Sequence, residues 1–223
     1  MNNIPKQIFF YWTGSKIPEE IKKNVENYKK INNDYQVEII MDDNLFLDKA
    51  KYDFPSLTNL FNKISIPSCK SDIARLLILY YFGGIYVDCN TIPLKCFNDF
   101  YVTIKDKDFV ISFNYNNLDY STRVLFSSKE SSVLKEILIK ITNNLENLFN
   151  LEKESNINIE YNILLLTGTG PFNDVLGRNG DVDKFDDNSD IIKHYGCNME
   201  HHHNKNFEKH WSNLQKKQKL FIV

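Results

Sequence analysis

The residues of this chain that are best placed to do chemistry are Asp88 and Asn90, which follow the short apolar stretch 85–87. An acidic residue at the carboxyl end of a buried strand lies where an open α/β sheet presents its ligand-binding groups. Oxygen ligands suit Mg²⁺ or Mn²⁺, and such an ion neutralises the charge of a diphosphate. The pattern predicts a divalent-metal site that carries a nucleotide diphosphate, although Asp and Asn are also frequent in ordinary turns.

A second pair of charged residues, Asp72 and Arg75, lies in the apolar segment that leads into Gly83 and Gly84. In a helix, a spacing of three residues places both side chains on one face, where an exposed ion pair contributes only about 0.2–0.5 kcal/mol. The surrounding residues are apolar, so the pair occupies the one polar stripe of a largely buried helix. Two interpretations stay open: a solvated ion pair, or a pair that contacts a ligand.

The elements that must position these residues alternate between strands and helices, which is typical of an α/β domain. Apolar, often alternating stretches predict strands at 7–13, 35–41, 85–87, 109–113 and 124–127. Apolar residues spaced by three and four predict helices at 17–32, 45–50, 55–63, 131–150 and 157–166, with a further helix around Lys70. The acidic, Gly-containing segment 177–190 is predicted to be a loop.

Length and composition limit the class of protein. The 223 residues predict one domain over 1–223, and 27 Lys and Arg against 29 Asp and Glu leave no basic field for nucleic acid. The four cysteines lack a paired spacing and are expected to be reduced thiols: Cys69, Cys89, Cys96 and Cys197. With no apolar leader and no bilayer-length apolar run, we expect no membrane span and a cytoplasmic location, or else a secreted effector or viral factor without a signal peptide.

Several of these motifs together resemble one known family. Ser71-Asp72, Arg75 and the run 83–88 (Gly-Gly-Ile-Tyr-Val-Asp) fall in the register of the DXD-containing glycosyltransferases, with Asn90 where the second Asp is usual. The opening segment 4–14 is similar to the family's Ile-Pro-Lys-x-Ile-His-x-Ile-Trp motif, with Phe9 at the His position. The resemblance is to the group that includes α-1,6-mannosyltransferases, capsular polysaccharide transferases and clostridial-toxin glucosyltransferase domains.

The resemblance implies a fold and an activity. The expected fold is a GT-A type, Rossmann-like α/β/α sandwich with a mixed central sheet. The expected activity is metal-dependent transfer of a hexose, with retention of configuration, from a nucleotide-diphosphate sugar to a glycan or protein acceptor. A UDP-sugar is the first candidate for the donor and GDP-mannose the second, and the implied cofactor is Mn²⁺ or Mg²⁺.

The family's functional positions can be carried over where the motifs match. The resemblance implies that Asp72 accepts hydrogen bonds from donor-sugar hydroxyls and that Arg75 holds sugar or phosphate oxygens. It implies that Asp88 and Asn90 bind the metal, and these four residues are the expected catalytic set. The implied donor-binding residues, drawn from separate segments of the chain, are Trp12, Thr13, Asp72, Arg75, Tyr86, Gly168 and Trp211.

The C-terminal part carries two weaker signals. Segment 167–172 (Thr-Gly-Thr-Gly-Pro-Phe) is similar to the family's Thr-Gly-Pro stretch, with Pro171 expected at the first position of a helix. The histidine-rich tail that ends in Trp211 resembles the family's closing segment, which implies that Trp211 caps the pyrophosphate and that a tail histidine, His203, reaches the metal. A zinc site, whose spacings match no known finger, and an exposed polar loop are the alternatives.

A different class of function also fits the sequence. Asn90 cannot supply the second negative charge of an Asp-x-Asp pair, which lowers the expected affinity for a metal. The chain could therefore be a non-catalytic or weakly hydrolytic module that binds a sugar nucleotide or a glycan through a degenerate site.

Overall fold

A computed structural model describes residues 3–116, 119–155, 159–177, 182–187, 189–194 and 210–222. The strands of this part are β1 (Gln7–Tyr11), β2 (Gln36–Ile40), β3 (Gly84–Val87), β4 (Thr91–Pro93), β5 (Phe109–Asn114), β6 (Asp119–Ser127), β7 (Asp183–Asp186) and β8 (Ile192–His194). Its helices are α1 (Glu19–Ile31), α2 (Asn44–Asp53), α3 (Pro55–Phe61), α4 (Pro67–Phe82), α5 (Asn98–Ile104), α6 (Ser132–Glu154), α7 (Ile163–Leu166), α8 (Thr169–Leu176) and α9 (Trp211–Lys217). None of the helices in the described ranges is long and apolar enough to cross a membrane.

Six of the strands form a mixed sheet in the order β2-β1-β3-β6-β5-β7. Strands β2 and β3 both run parallel to β1, while β6 pairs antiparallel with β3 and with β5. Strand β7 closes the far edge in parallel with β5, and β4 pairs with β8 in a separate small ladder. The parallel half of the sheet therefore directs the carboxyl ends of β1 and β3 to the same edge.

Apolar residues cover both faces of the sheet because side chains alternate along each strand. Phe9 and Tyr11 pack with α4 and α6 on one face, whereas Ile8 and Phe10 pack with α1 and α5 on the other. The result is the predicted α/β/α sandwich. Helix α4 is buried along most of its length, so its charged residues Asp72 and Arg75 lie inside the protein.

The Gly83-Gly84 pair fixes the passage from α4 into β3. Gly83 ends the helix at φ 67°, and a Cβ there would lie 2.8 Å from Cδ of Pro5. Gly84 follows at φ 98°, and its Cβ would lie 2.7 Å from the carbonyl oxygen of Gln7 on β1. Only glycine tolerates both the positive φ and the close approach, so the pair sets β3 beside β1 in register.

Three sequence predictions are wrong in part. No helix covers 159–162: α7 begins only at Ile163, because the Asn162 side chain caps it by accepting from the backbone N–H of Leu164 at 2.9 Å. The predicted loop 177–190 contains β7, which has only Phe185 buried and so carries little apolar signal. Pro171 is the third residue of α8 rather than the first, a position whose N–H also lacks an intrahelical partner.

Candidate active site

The carboxyl end of β3 turns sharply, and this turn carries the two predicted metal ligands. The backbone N–H of Thr91 donates to the carbonyl of Asp88 at 2.9 Å, which closes a four-residue turn with Cys89 and Asn90 at its corner. The Asp88 side chain is 25% exposed. Oδ1 of Asn90 is buried and has no hydrogen-bond partner among the described residues. An oxygen that is buried without a donor is available to a cation.

Arg75 links this turn to α4. Its Nη2 lies 3.1 Å from Oδ1 of Asp72, and its Nη1 lies 3.4 Å from Oδ1 of Asp88. Nη1 also donates to the carbonyl and the hydroxyl of Thr122 at 2.6 and 3.0 Å, and Nε donates to the carbonyl of Ser71 at 3.2 Å. The predicted pair is therefore no solvated surface pair, because protein groups already take most of the guanidinium donors.

Burial shifts the pKa values of the charged groups in this cluster. It raises the pKa of Asp72 to about 6, although Arg75 and a 3.0 Å hydrogen bond from the hydroxyl of Thr167 both favour the ionised form. Burial lowers the pKa of the Arg75 guanidinium, but Asp88 and Asp72 outweigh this effect and raise it above its ordinary value. One buried cation thus neutralises two carboxylates only in part.

Around the cluster lies a cleft of about 900 Å³. The charged residues that line it are Glu20, Asp72, Arg75, Asp88, Asp119, Arg123 and Asp187, which gives five carboxylates against two arginines. Because Arg75 is used inside the protein, Arg123 is the better exposed of the two cations, with 44% of its side chain accessible. A ligand that carries a diphosphate would meet net negative charge here unless a cation accompanied it.

The cleft brings together most of the residues that the sequence predicted for the site. Those among its lining residues are Trp12, Thr13, Asp72, Arg75, Tyr86, Asp88, Asn90 and Trp211. The indole N–H of Trp12 donates to the carbonyl of Lys16 at 3.2 Å, which fixes the ring at the end of β1. The Tyr86 ring lies under Arg75, with its centroid 5.0 Å from the guanidinium carbon.

Two predicted site residues are placed differently. Gly168 precedes the lining residue Thr169, and a Cβ on Gly168 would lie 2.8 Å from Cα of Leu164, so close packing of α7 accounts for this glycine. His203 falls outside the described residues, as do Cys197, His201 and His202. Within the described ranges, no three His, Cys, Asp or Glu side chains gather into a metal cluster.

Sequence reasoning did not single out the wall of the cleft that β6 and the end of β7 provide. Arg123 lies beside the turn, since its carbonyl accepts from the backbone N–H of Asp88 at 2.8 Å. Its Nη1 lies 3.4 Å from Oδ2 of Asp187, whose side chain is only 1% exposed. The one signal in the sequence was that Arg123 immediately precedes the predicted strand 124–127, whereas Asp187 lay in a segment predicted to be a loop.

Trp211 reaches the cleft because the end of the chain is firmly anchored. Buried Glu152 accepts hydrogen bonds from the backbone N–H groups of Leu220 and Phe221 at 2.8 and 3.2 Å. The backbone N–H of Ile163 on α7 donates to the side chain of Gln215 at 3.0 Å. These contacts hold α9 against α7, so the indole at the start of α9 lines the cleft opposite β1.

Together, the mixed six-stranded sheet between layers of helices and the polar turn at the end of β3 give the GT-A type of fold that the sequence predicted. In a comparison with known protein families, residues 18–110 match the family described as "Glycosyltransferase sugar-binding region containing DXD motif". This match confirms the resemblance inferred from the motifs. Asp88-Cys89-Asn90 lies within the matched segment.

A curated relative and several solved structures extend the comparison. The chain is 36% identical over 99 residues to "Uncharacterized glycosyltransferase L373" of Acanthamoeba polyphaga mimivirus, an alignment that spans 44% of this chain and only 39% of that relative. The PaToxG glycosyltransferase superposes with a TM-score of 0.59 at 24% identity, over 78% of this chain and 68% of the other. The UDP-bound glycosyltransferase domain of the YGT toxin gives 0.63 at 9% identity, over 86% and 81%. These structures confirm the GT-A fold.

Proposed function

We propose that this chain is a metal-dependent glycosyltransferase that moves a hexose from a nucleotide-diphosphate sugar to a hydroxyl of a glycan or protein. The observation that carries the proposal is the turn after β3, where Asp88 and the unpartnered Oδ1 of Asn90 face a cleft beside a buried Asp72–Arg75 pair. The family match over 18–110 supports the transferase class.

Charge in the cleft supports the need for a divalent cation. Five carboxylates and two arginines line the cleft, and Arg75 already contacts both Asp72 and Asp88. A diphosphate requires further positive charge, and oxygen ligands such as those of Asp88 and Asn90 are the type that Mg²⁺ and Mn²⁺ prefer. When bound, such an ion would neutralise charge on the departing diphosphate. Arg123, the better exposed of the two arginines that line the cleft, is the protein's own cation that could contact the same charge.

The remaining residues would bind and orient the donor. Trp12, fixed at the end of β1, offers a flat face for the base, and stacking of this kind contributes about 1–3 kcal/mol. Asp72 would accept from sugar hydroxyls, and ionisation would make both of its oxygens acceptors. Trp211 would cover the other side of the diphosphate and exclude water. We favour a UDP-sugar because a fold neighbour is UDP-bound, with GDP-mannose second. Retention of configuration, through a front-face displacement aided by the leaving phosphate, is the part of the proposal that the family resemblance implies.

The proposal is tested by thermal unfolding with UDP, GDP and their sugars, each with Mn²⁺ or with EDTA. A donor nucleotide raises the unfolding midpoint by several degrees with Mn²⁺ only. Asp88→Asn abolishes that shift. Asp48→Asn, which changes an exposed carboxylate paired with Lys51, leaves it intact. No shift with any nucleotide would refute the proposal.

The second candidate is a binding module without transfer, and the neutral side chain of Asn90 is the observation that favours it. Release of UDP from a UDP-sugar in the presence of Mn²⁺ and a mixture of glycan acceptors separates the two. Binding without turnover, unchanged in Asn90→Asp, would establish the module.

A further inference from the structure

A buried asparagine outside the expected catalytic set contacts the turn that carries the metal ligands. Asn24 lies on the inner face of α1, among Ile21, Val25 and Tyr28, and is 6% exposed. Its Nδ2 donates to the carbonyl of Cys89 at 3.1 Å and to the carbonyl of Thr91 at 2.7 Å. One amide group therefore holds the residues on both sides of Asn90.

The carbonyl oxygen of the Asn24 amide indicates why an asparagine is present here: the contact with the turn explains it, whereas packing in the core does not. Its Oδ1 is buried and has no hydrogen-bond partner among the described residues. A buried polar atom without a partner costs stability, and an apolar residue would fit this face of α1 better. What an apolar side chain could not do is donate to the two carbonyls of the turn.

Three contacts of the described residues hold the turn, and one of them comes from the side-chain amide of Asn24. On the sheet side, the backbone N–H of Asp88 donates to the carbonyl of Arg123 at 2.8 Å. On the side of β1, the thiol of Cys89 donates to the carbonyl of Tyr11 at 3.5 Å, a weak contact. Asn24 supplies the two bonds that fix the corner itself.

We propose that Asn24 is a positioning residue for the cation: it fixes the backbone of the Asp88–Thr91 turn so that Oδ1 of Asn90 and the Asp88 carboxylate converge on one ion. This inference rests on the proposed function, because it concerns the same metal site. A site with one carboxylate and one amide has few ligands of its own, so it depends on their pre-set geometry. Loss of a group that orients the ligands typically lowers metal affinity about 10–100-fold.

The chain offers a matched control on the same helix. Asn32, at the C-terminal end of α1, is also fully buried, with its Nδ2 donating to the carbonyl of Tyr28 at 3.2 Å. Its Oδ1 accepts from the backbone N–H of Phe97 at 2.9 Å, away from the turn. Substitutions of Asn32 therefore disturb the same helix and introduce the same buried Asp or Ala side chain, but they leave the contacts of the metal ligands unchanged.

The experiment measures UDP binding by calorimetry across a Mn²⁺ series, which gives the Mn²⁺ concentration at half-maximal UDP affinity. We expect that concentration to rise at least about tenfold in Asn24→Asp and in the milder Asn24→Ala. In Asn32→Asp and Asn32→Ala it stays within about twofold of the unmodified protein, by the same reasoning. A carboxylate at position 24 should be the more damaging change: like alanine it cannot donate to either carbonyl, and in addition it places acceptor oxygens against both of them.

The other possible outcomes refute either the proposed function or the positioning role of Asn24. If the unmodified protein shows no Mn²⁺-dependent UDP binding, the proposed function fails first. If it does bind, and folded Asn24 variants keep its Mn²⁺ midpoint, the positioning role is refuted. Equal shifts in the Asn24 and Asn32 variants would also refute it, since they would reflect general loosening of α1. So would an Asn24→Ala protein that does not fold, because the side chain would then serve the core.

Discussion

Replacing Asp72 with Asn should stabilise the metal-free protein at neutral pH. Burial raises the pKa of Asp72 from its ordinary value of 3.8 to about 6. One pKa unit corresponds to about 1.36 kcal/mol, so ionising this carboxyl in the folded protein costs about 3 kcal/mol more than in the unfolded chain. An amide at the same position carries no charge and avoids that cost.

The local geometry accommodates the amide. In Asp72→Asn, the carbonyl oxygen can keep facing Nη2 of Arg75, now 3.1 Å from Oδ1 of Asp72. The new NH₂ would face the hydroxyl of Thr167, which now donates to Oδ2 of Asp72 at 3.0 Å. That hydroxyl can accept instead and donate to the carbonyl of Ile163, 3.3 Å away. The Arg75 guanidinium and the Thr167 hydroxyl therefore each keep a partner after the exchange.

The sign of the pH dependence follows from the raised pKa. The folded state holds the Asp72 proton more tightly than the unfolded chain, so the stability that the proton provides is complete below about pH 4. It is lost as the pH rises through about 6. The advantage of Asp72→Asn should therefore be near zero at pH 4 and reach about 3 kcal/mol above pH 7.

Urea unfolding in EDTA at several pH values between 4 and 8 measures this difference. Asp48→Asn, an exposed change, serves as the control and should stay within about 0.5 kcal/mol of the unmodified protein throughout. A difference for Asp72→Asn that does not vary with pH would refute the reasoning. So would an Asp72→Asn protein that is less stable than the unmodified one at pH 7.5, because the ion pair with Arg75 would then outweigh burial.

Two further predictions concern the turn and the end of the chain. Asn90→Asp adds a charged ligand and should lower the Mn²⁺ concentration needed for UDP binding, measured by calorimetry; a midpoint that stays the same or rises would contradict a metal role for this position. Glu152→Gln replaces an acceptor of two backbone N–H groups by an amide and should lower the free energy of unfolding by about 1–3 kcal/mol in urea. Glu136→Gln, exposed on the same helix, should change it by less than about 0.5 kcal/mol; equal effects would mean that Glu152 does not anchor the chain end.

The four residues of the expected catalytic set lie in one contiguous stretch. Asp72, Arg75, Asp88 and Asn90 belong to α4, the Gly-Gly turn and β3, where local patterns determine both the elements and their order. Glycine conformation and helix periodicity are short-range effects, so a single sequence displays them. The sequence left open whether the Asp72–Arg75 pair is solvated. The apolar neighbours of the pair on α4 indicated burial, and the structure shows it.

The residues that sequence reasoning missed come to the cleft through long-range packing. Arg123 reaches the turn only because β6 pairs with β3, and Asp187 only because β7 joins the sheet beside β5. Strand β7 is polar except for Phe185, so the sheet edge and not its own composition determines its structure. Asn24 could not be predicted from local patterns either, because in the sequence it is one polar residue of an amphipathic helix. Its role follows only from the hydrogen bonds to Cys89 and Thr91, which the fold brings close.

The charges around Arg75 explain why an amide at position 90 is compatible with a metal site. Asp72 and Asp88 already share one guanidinium, and the raised pKa of Asp72 shows that this sharing does not offset its burial. A carboxylate at position 90 would add a third negative charge to this cluster before any cation is bound. Asn90 keeps an oxygen ligand there without that repulsion. Asn90 therefore makes the metal-free protein more stable than a carboxylate would, but it lowers the affinity for the cation. The Asn24 contacts restore part of that affinity by fixing the geometry of the ligands.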